Sequence, residues 1–231
     1  MQTWIFQGNP DEFDLDGYLA SCPGQVYWLV TRHTLEIMTG DRVYIWRNQG
    51  KQRVVSGVIA EATVIEPPAL RDEDPNAILY WKTTPPRADH PQMRAVMRLR
   101  KVAEANEVIR REWCMEDPIL RDLPNLRMSQ STNYKLSQQL AERLATVWSR
   151  TGRDWTRDEM VAGLWAYAEL SDRNVSRDDP NSPISRVALA IGRTVGDVYA
   201  KVEFWQEFFG SADGLRLSAL REEFDRLWSI R

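Results

Sequence analysis

Cysteine and histidine are scarce, with two of each in 231 residues. Cys22 and Cys114 have no CxxC spacing, so neither a disulfide framework nor a zinc site is implied, and both read as small core residues. His33 and His90 lie in separate segments, and no His/Cys/Asp cluster has metal-ligand spacing. His33 follows a strand end and reads as a surface histidine rather than a pocket wall. A P-loop, a dinucleotide fingerprint and a GxSxG elbow are all missing, which leaves catalysis and a resident cofactor without support. Long apolar runs are missing too: nothing approaches the roughly 18 residues of a membrane span. Met1 to Gly8 lacks the basic start and apolar centre of a signal peptide, so the expectation is a cytoplasmic protein away from membranes. A strong charge of one sign is also absent. The net charge of -3 argues against strong non-specific DNA binding.

What the chain does have is apolar and aromatic material. Hydrophobic residues make up 43% of it, and ten tryptophans are many for this length. Thr3 to Gln7 reads as a compact first strand ended by Gly8-Asn9-Pro10. Asp11 to Ser21 reads as a helix with acids in its first turn and Phe13, Leu15, Tyr18 and Leu19 for the core. Glu12, Asp14, Asp16 and Gly17 imitate the opening of a calcium loop, but Pro23 stands where its closing glutamate belongs, so they read as a solvated helix start. Gln25 to Thr31 is a second strand, with Val26, Trp28 and Val30 on one face.

Gly40-Asp41 opens a hairpin of Val43 to Trp46 with Val54 to Ile65. A polar loop is expected after Pro67-Pro68, from Ala69 to Asn76, then a short strand Ile78 to Trp81 ended by Pro85-Pro86. Met93 to Val102 alternates apolar residues with Arg94, Arg98, Arg100 and Lys101, the pattern of an edge strand with one charged face. That face is either solvated or a nucleic-acid-facing stripe. A short helix at Val108 to Trp113 and a loop to Leu126 complete a strand-dominated half.

From Ser137 the pattern is helical. Gly152 ends one helix, and Thr156 with Glu159 forms a capping box for the next. The stretch Ser171 to Pro180 reads as a polar loop. Ala188, Gly192 and Val198 fall where a helix-turn-helix needs a small contact residue, a turn glycine and an apolar anchor; a tight packed hairpin fits the same residues. A last amphipathic helix is expected over Leu215 to Trp228. The fold class is therefore α+β, with a barrel-type domain over 1–130 and an all-α domain over 131–231, divided near Asn125 to Asn133.

Trp148, Trp165 and Trp228 sit at helical core spacing. Trp28 and Trp46 fall near the ends of what read as adjacent strands, where aromatic planes serve either as core or as walls for a flat ligand.

The ordered elements Trp4 to Pro10, Tyr27 to Arg32, Gly40-Asp41-Arg42-Val43-Tyr44-Ile45-Trp46, Ser56-Gly57-Val58-Ile59-Ala60 and Pro67-Pro68 resemble an EVE domain, one of the PUA-like barrels, over roughly residues 1–128. The resemblance implies a small β-barrel with flanking helices and a pocket for a nucleobase, often a modified one. In related readers an aromatic cage holds a modified base flipped from the nucleic acid. By position Trp28 resembles the cage tryptophan, with Trp46 as a second wall and Phe6, Gln7, Asn9, Asn48 and Ser56 as bordering candidates.

The second half, through Trp155 to Glu159, Ser182 to Ile184 and Ile191 to Val202, resembles the helical module beside HNH nucleases in modification-dependent restriction proteins. No HNH motif is present. The implied function is a non-enzymatic reader of DNA carrying 5-methyl- or 5-hydroxymethylcytosine, with Arg193, Thr194 and Lys201 of a helix-turn-helix on the backbone. The alternatives are an RNA-binding PUA-like protein, or a DNA-binding subunit that acts with a nuclease partner.

Overall fold

The computed structural model describes residues 1–21, 23–84, 90–128, 130–172, 179–209, 222 and 226. Cys22, Pro85-Pro86, most of the polar loop at 171–180 and nearly all of the helix expected at 215–228 lie outside these residues. The chain divides into two compact units, one comprising 1–111 and 122–142, the other 112–121 and 143–231.

The first unit is built on a curled sheet. Its strands are β1 (Thr3–Gly8), β2 (Val26–Leu29), β3 (Arg42–Arg47), β4 (Gly57–Arg71), β5 (Gln92–Val102), β6 (Ile109–Arg110) and β7 (Asn133–Lys135), in the order β2-β5-β4-β3-β1-β7 with β6 on β4. Helix α1 (Leu15–Ala20) follows β1. β1 and β3 run parallel, and the other pairs are antiparallel. An open sheet would leave β2 and β7 as unpaired edges. Here the chain leaving β2 meets the chain entering β7. Asn133 Oδ1 accepts from the Thr31 and Arg32 amides at 3.2 and 3.1 Å, Asn133 Nδ2 donates to Arg32 O at 2.5 Å, and the Thr31 and Thr132 hydroxyls lie 2.9 Å apart. These side-chain bonds stand in for a missing ladder and draw the outer strands together, the means by which small barrels dispose of their edges.

Several elements differ from their sequence reading. β4 runs straight through Pro67-Pro68 to Arg71, into the stretch from Ala69 where a polar loop was expected. Its pairing with β5 skips from Glu66↔Val96 to Ala69↔Arg94, so the prolines fall in a bulge where no ladder amide is required. β5 is no simple edge, because Arg94 to Met97 lies between β2 and β4. Its stretch beyond β2, with Arg98, Arg100 and Lys101, pairs on one side alone. Arg100 Nε donates to Thr63 at 2.9 Å, and Lys101 pairs with Glu107 at 2.9 Å. Residues 78–80 form a 3-10 turn rather than a strand, and Trp81 just after it makes an isolated bridge to Phe13, outside the sheet. β2 pairs with β5, so Trp28 and Trp46 are not on adjacent strands. Val108 to Trp113 is β6 followed by α2 (Arg111–Glu116), and α3 (Pro124–Arg127) occupies part of the expected loop to Leu126.

Among the acids that imitate a calcium loop, Asp14 caps α1 by accepting from the Gly17 amide. Glu12 accepts from Asn9 at 2.9 Å, and Asp16 pairs with Arg47 at 2.5 Å. His33 is exposed and pairs with Glu36 at 2.7 Å.

Among the described residues from Gln138 onward the elements are helices: α4 (Gln138–Arg150), α5 (Arg157–Asp172), α6 (Pro183–Ile191) and α7 (Val195–Phe209). The capping box is formed, with Thr156 N donating to Glu159 at 2.8 Å and Glu159 N to Thr156 Oγ1 at 3.3 Å. Gly192 ends α6 at φ +74, a left-handed conformation that suits glycine. The core of the second unit gathers Ala162, Trp165, Ala166, Ile184, Val187, Ala188, Val195 and Val198. Gly196 is required by close approach, since a Cβ there would lie 2.1 Å from the Trp113 indole nitrogen.

Candidate functional site

Where the barrel seam meets the start of the chain, the first unit holds a cavity of about 130 Å³. Its size is that at which protein cavities accept a single six-membered ring, about 150 Å³ for benzene. The end of β1 supplies Gln7 and Gly8, the following turn Asn9, Glu12 and Phe13, and β2 Tyr27, Trp28 and Leu29. Glu73, Ala77 and Trp81 come from the connection after β4, Arg94 from β5, and Thr132 from the approach to β7.

One wall is aromatic. Phe13 meets Tyr18 edge-on at 5.3 Å and Trp81 at 5.1 Å, arrangements that favour ring pairs beyond their burial. Trp28, 8% exposed, is backed by Phe6 at 6.1 Å. A Cβ at Gly8 would be in ordinary contact with the Trp28 ring at 3.5 Å and tight only against Leu15 at 3.0 Å.

The polar groups are arranged against this apolar wall. Gln7 donates through Nε2 to Ser131 O at 2.6 Å and to the Tyr134 hydroxyl at 3.2 Å, which fixes its amide plane. Asn9 is held by its bond to Glu12 and by accepting from the Asp11 amide at 3.1 Å. Tyr18 donates to Asp74 at 2.8 Å; burial, with Asp74 beside it, raises its pKa. Glu73 and Arg94 form an ion pair at 2.9 Å with side chains nearly enclosed. Burial pushes the Glu73 carboxyl above the usual carboxylate range, and the Arg94 guanidinium pulls it back only in part. Arg94 is 4% exposed, and its Nε has no hydrogen-bond partner among the described residues. Leaving such a donor unmet costs about 1–3 kcal/mol. A ligand acceptor entering the cavity would relieve that cost.

Of the residues expected here from sequence, Trp28, Gln7 and Asn9 line the cavity. Phe6 lies behind Trp28 in the core. Trp46 is 2% exposed and outside the lining: alternation along β3 puts Val43 and Ile45 into the barrel's core cluster and leaves Trp46 on the opposite face. Asn48 and Ser56 are also outside it; Ser56 donates to Arg47 O at 2.9 Å. Glu73, Arg94 and Trp81 are the additions. Arg94 shares its parity with Arg98 and Arg100 and so reads as one of a solvated row of strand charges, and Glu73 lies in a polar stretch, so only the fold brings them together. Proline-bounded Trp81 was the one available signal.

In the second unit Arg193 is 4% exposed. Its Nη2 donates to Arg153 O, Asp154 O and Glu159 Oε2 at 3.0, 2.9 and 3.0 Å, and its guanidinium lies 4.8 Å from the Trp155 ring centre. Thr194 is buried and caps α7, accepting from the Asp197 amide at 2.9 Å. Lys201 sets its ammonium over Trp155 and Phe204 at 5.2 and 5.1 Å. Arg193 and Thr194 thus hold the turn between α6 and α7 together from inside.

The residues that build this barrel fall within 2–147, the stretch matched by the EVE domain model. The chain belongs to the EVE domain family. Solved structures that it is similar to stand at low identity. A hypothetical protein from Leishmania major is 15% identical, with a TM-score of 0.46 over 66% of this chain and 98% of its own. Human THYN1 protein, in complex with 5-methylcytosine-containing DNA, is 10% identical, with a TM-score of 0.45 over 67% of this chain and all of its own. A Pseudomonas syringae protein is 12% identical, with a TM-score of 0.44 over 62% and 97%. No curated protein matches the chain. In this EVE protein, no group of three or more His, Cys, Asp or Glu side chains among the described residues is placed to hold a metal ion. No helix among them is long and apolar enough to cross a membrane.

Proposed function

We propose that this EVE protein is a non-enzymatic reader of modified DNA, and that its barrel cavity receives one flipped pyrimidine, a cytosine carrying a 5-methyl or 5-hydroxymethyl group. The observation that carries the reading is the cavity itself: room for one ring, an aromatic wall with Trp28, and an unmet Arg94 donor beside a carboxylate. A base buries its faces against aromatic side chains and is read by hydrogen bonds on its edge. Cytosine offers a carbonyl oxygen and a ring nitrogen to the Arg94 guanidinium, and its exocyclic amine to Glu73 or Glu12. A 5-substituent would lie against the apolar wall.

Family membership supports a nucleobase pocket on this fold. The helical unit then adds affinity or a partner contact, a nuclease chain included. Lys201 is the residue of the α6–α7 segment suited to phosphate, and Arg193 and Thr194 act through the shape of the turn. RNA is the competing ligand. Competition among methylated duplex DNA, the same duplex unmodified and structured RNA decides: preference for methylated DNA is expected, and preference for RNA would reverse the reading.

A further inference from the structure

The lining of the cavity breaks off at Ala77 and resumes at Trp81, and the residues between make a single 3-10 turn. Its first two side chains point away from the protein: Ile78 is 53% exposed and Leu79 is 88% exposed. Lone exposed apolar residues are ordinary. This pair differs in its place and in its mounting. It is carried by the turn that joins two lining residues, Ala77 and Trp81.

The turn beneath it is fastened from both sides. The Asp74 carboxylate accepts from the Asn76 amide at 3.0 Å and from the Tyr18 hydroxyl at 2.8 Å, and Asp74 O accepts from the Ala77 amide at 2.9 Å. Tyr80 O accepts from the Asp14 amide at 2.7 Å, and the Lys82 amide donates to Glu12 O at 2.8 Å. The Tyr80 ring turns inward onto Tyr18 at 5.4 Å. Two branched apolar side chains are therefore held in solvent on a rigid base, where they contribute nothing to the core.

We infer that Leu79, with Ile78 beside it, is a wedge that enters the base stack of duplex DNA and fills the gap left by the base in the cavity. The inference rests on the reading above and adds to it how the duplex is opened. A flipped base leaves an unstacked gap whose cost falls on binding. Apolar side chains inserted between base steps recover part of that cost by covering the exposed faces. A single-stranded ligand has no such gap, and the wedge contributes nothing there.

The test compares wild type with Leu79→Ser and with the double variant Ile78→Ser/Leu79→Ser. Both positions are exposed, so folding is not at stake, and the melting temperature checks this. Each protein is titrated with a methylated duplex and with the methylated single strand alone. Fluorescence of 2-aminopurine placed next to the methylated base reports unstacking. We expect the variants to lose about tenfold or more in duplex affinity, to keep single-strand affinity, and to lose the fluorescence rise. Unchanged duplex affinity, or an equal loss on both ligands, overturns the wedge and leaves the pocket reading standing. If wild type binds neither ligand, the pocket reading fails and the wedge falls with it.

Discussion

Replacing Arg193 with methionine removes the guanidinium and keeps much of the side-chain volume. The change strips three bonds through Nη2, a fourth from Nη1 to Arg150 O at 3.4 Å, and the ring contact with Trp155. It also leaves Glu159, 1% exposed, without its closest cation. Breaking a buried pair from one side costs about 3–5 kcal/mol. In a unit of this size each kcal/mol moves melting by about 4–8 °C. The helical unit should therefore melt at least about 12 °C lower in scanning calorimetry at neutral pH.

The pH dependence carries a second signature. Burial pushes the Glu159 carboxyl up, but Arg193, the Thr156 amide and Arg150 outweigh it and hold the group below the usual carboxylate range. A lowered folded value stabilises above the unfolded pKa, and that contribution is lost as pH falls through the folded one. The deficit of the variant should be full at pH 7 and shrink under acid. A melting point within two or so degrees of wild type, with modified and unmodified DNA both bound more weakly and the salt slope flatter by about one, would refute this argument and return Arg193 to the phosphate backbone.

Trp46→Ala should cost about 3–5 kcal/mol of stability, because a buried indole leaves a cavity behind, while the protein that stays folded keeps its preference among DNA ligands. Denaturant titration with parallel binding measures both. Gly57→Ala should destabilise the barrel by about 3 kcal/mol in the same titration, since φ there is +153 and the new Cβ would sit 2.1 Å from Ile109 O. Gly196→Ala should cost about 1–3 kcal/mol through its clash with Trp113. Adding Trp113→Ala should give a combined loss smaller than the sum of the two, which a double-mutant cycle reads directly.

The residues announced β1, β2 and the β3–β4 hairpin because strand formers, alternation and the Gly40-Asp41 turn agree there. Thr156/Glu159 and Gly192 likewise marked helix ends by local chemistry alone. What the sequence hid depends on partners far along the chain. Pro67-Pro68 reads as a strand end, yet β4 passes through because it bulges there, two residues facing one of β5. Ile78 to Trp81 has strand composition, but Asp74 and Asp14 bend it into a turn. Trp46 faces away from Val43 and Ile45 by simple alternation, and which of the two faces holds the cavity shows only once the sheet curls. Arg94 reads as a solvated charge until β2 and β4 enclose it. The fold was thus legible element by element. The cavity was legible only at Trp28, Gln7 and Asn9, the residues on the strand ends that the pattern located.

The most direct test of the central claim is the affinity of folded Trp28→Ala for a methylated duplex, set against the same duplex unmodified. Stacking on an aromatic plane is worth about 1–3 kcal/mol per base, or roughly fivefold to more than a hundredfold in affinity. The account predicts a loss in that range for methylated DNA, with the preference over unmodified DNA collapsing and the barrel still folded by circular dichroism. A folded Trp28→Ala protein that binds methylated DNA as tightly and as selectively as wild type would contradict it.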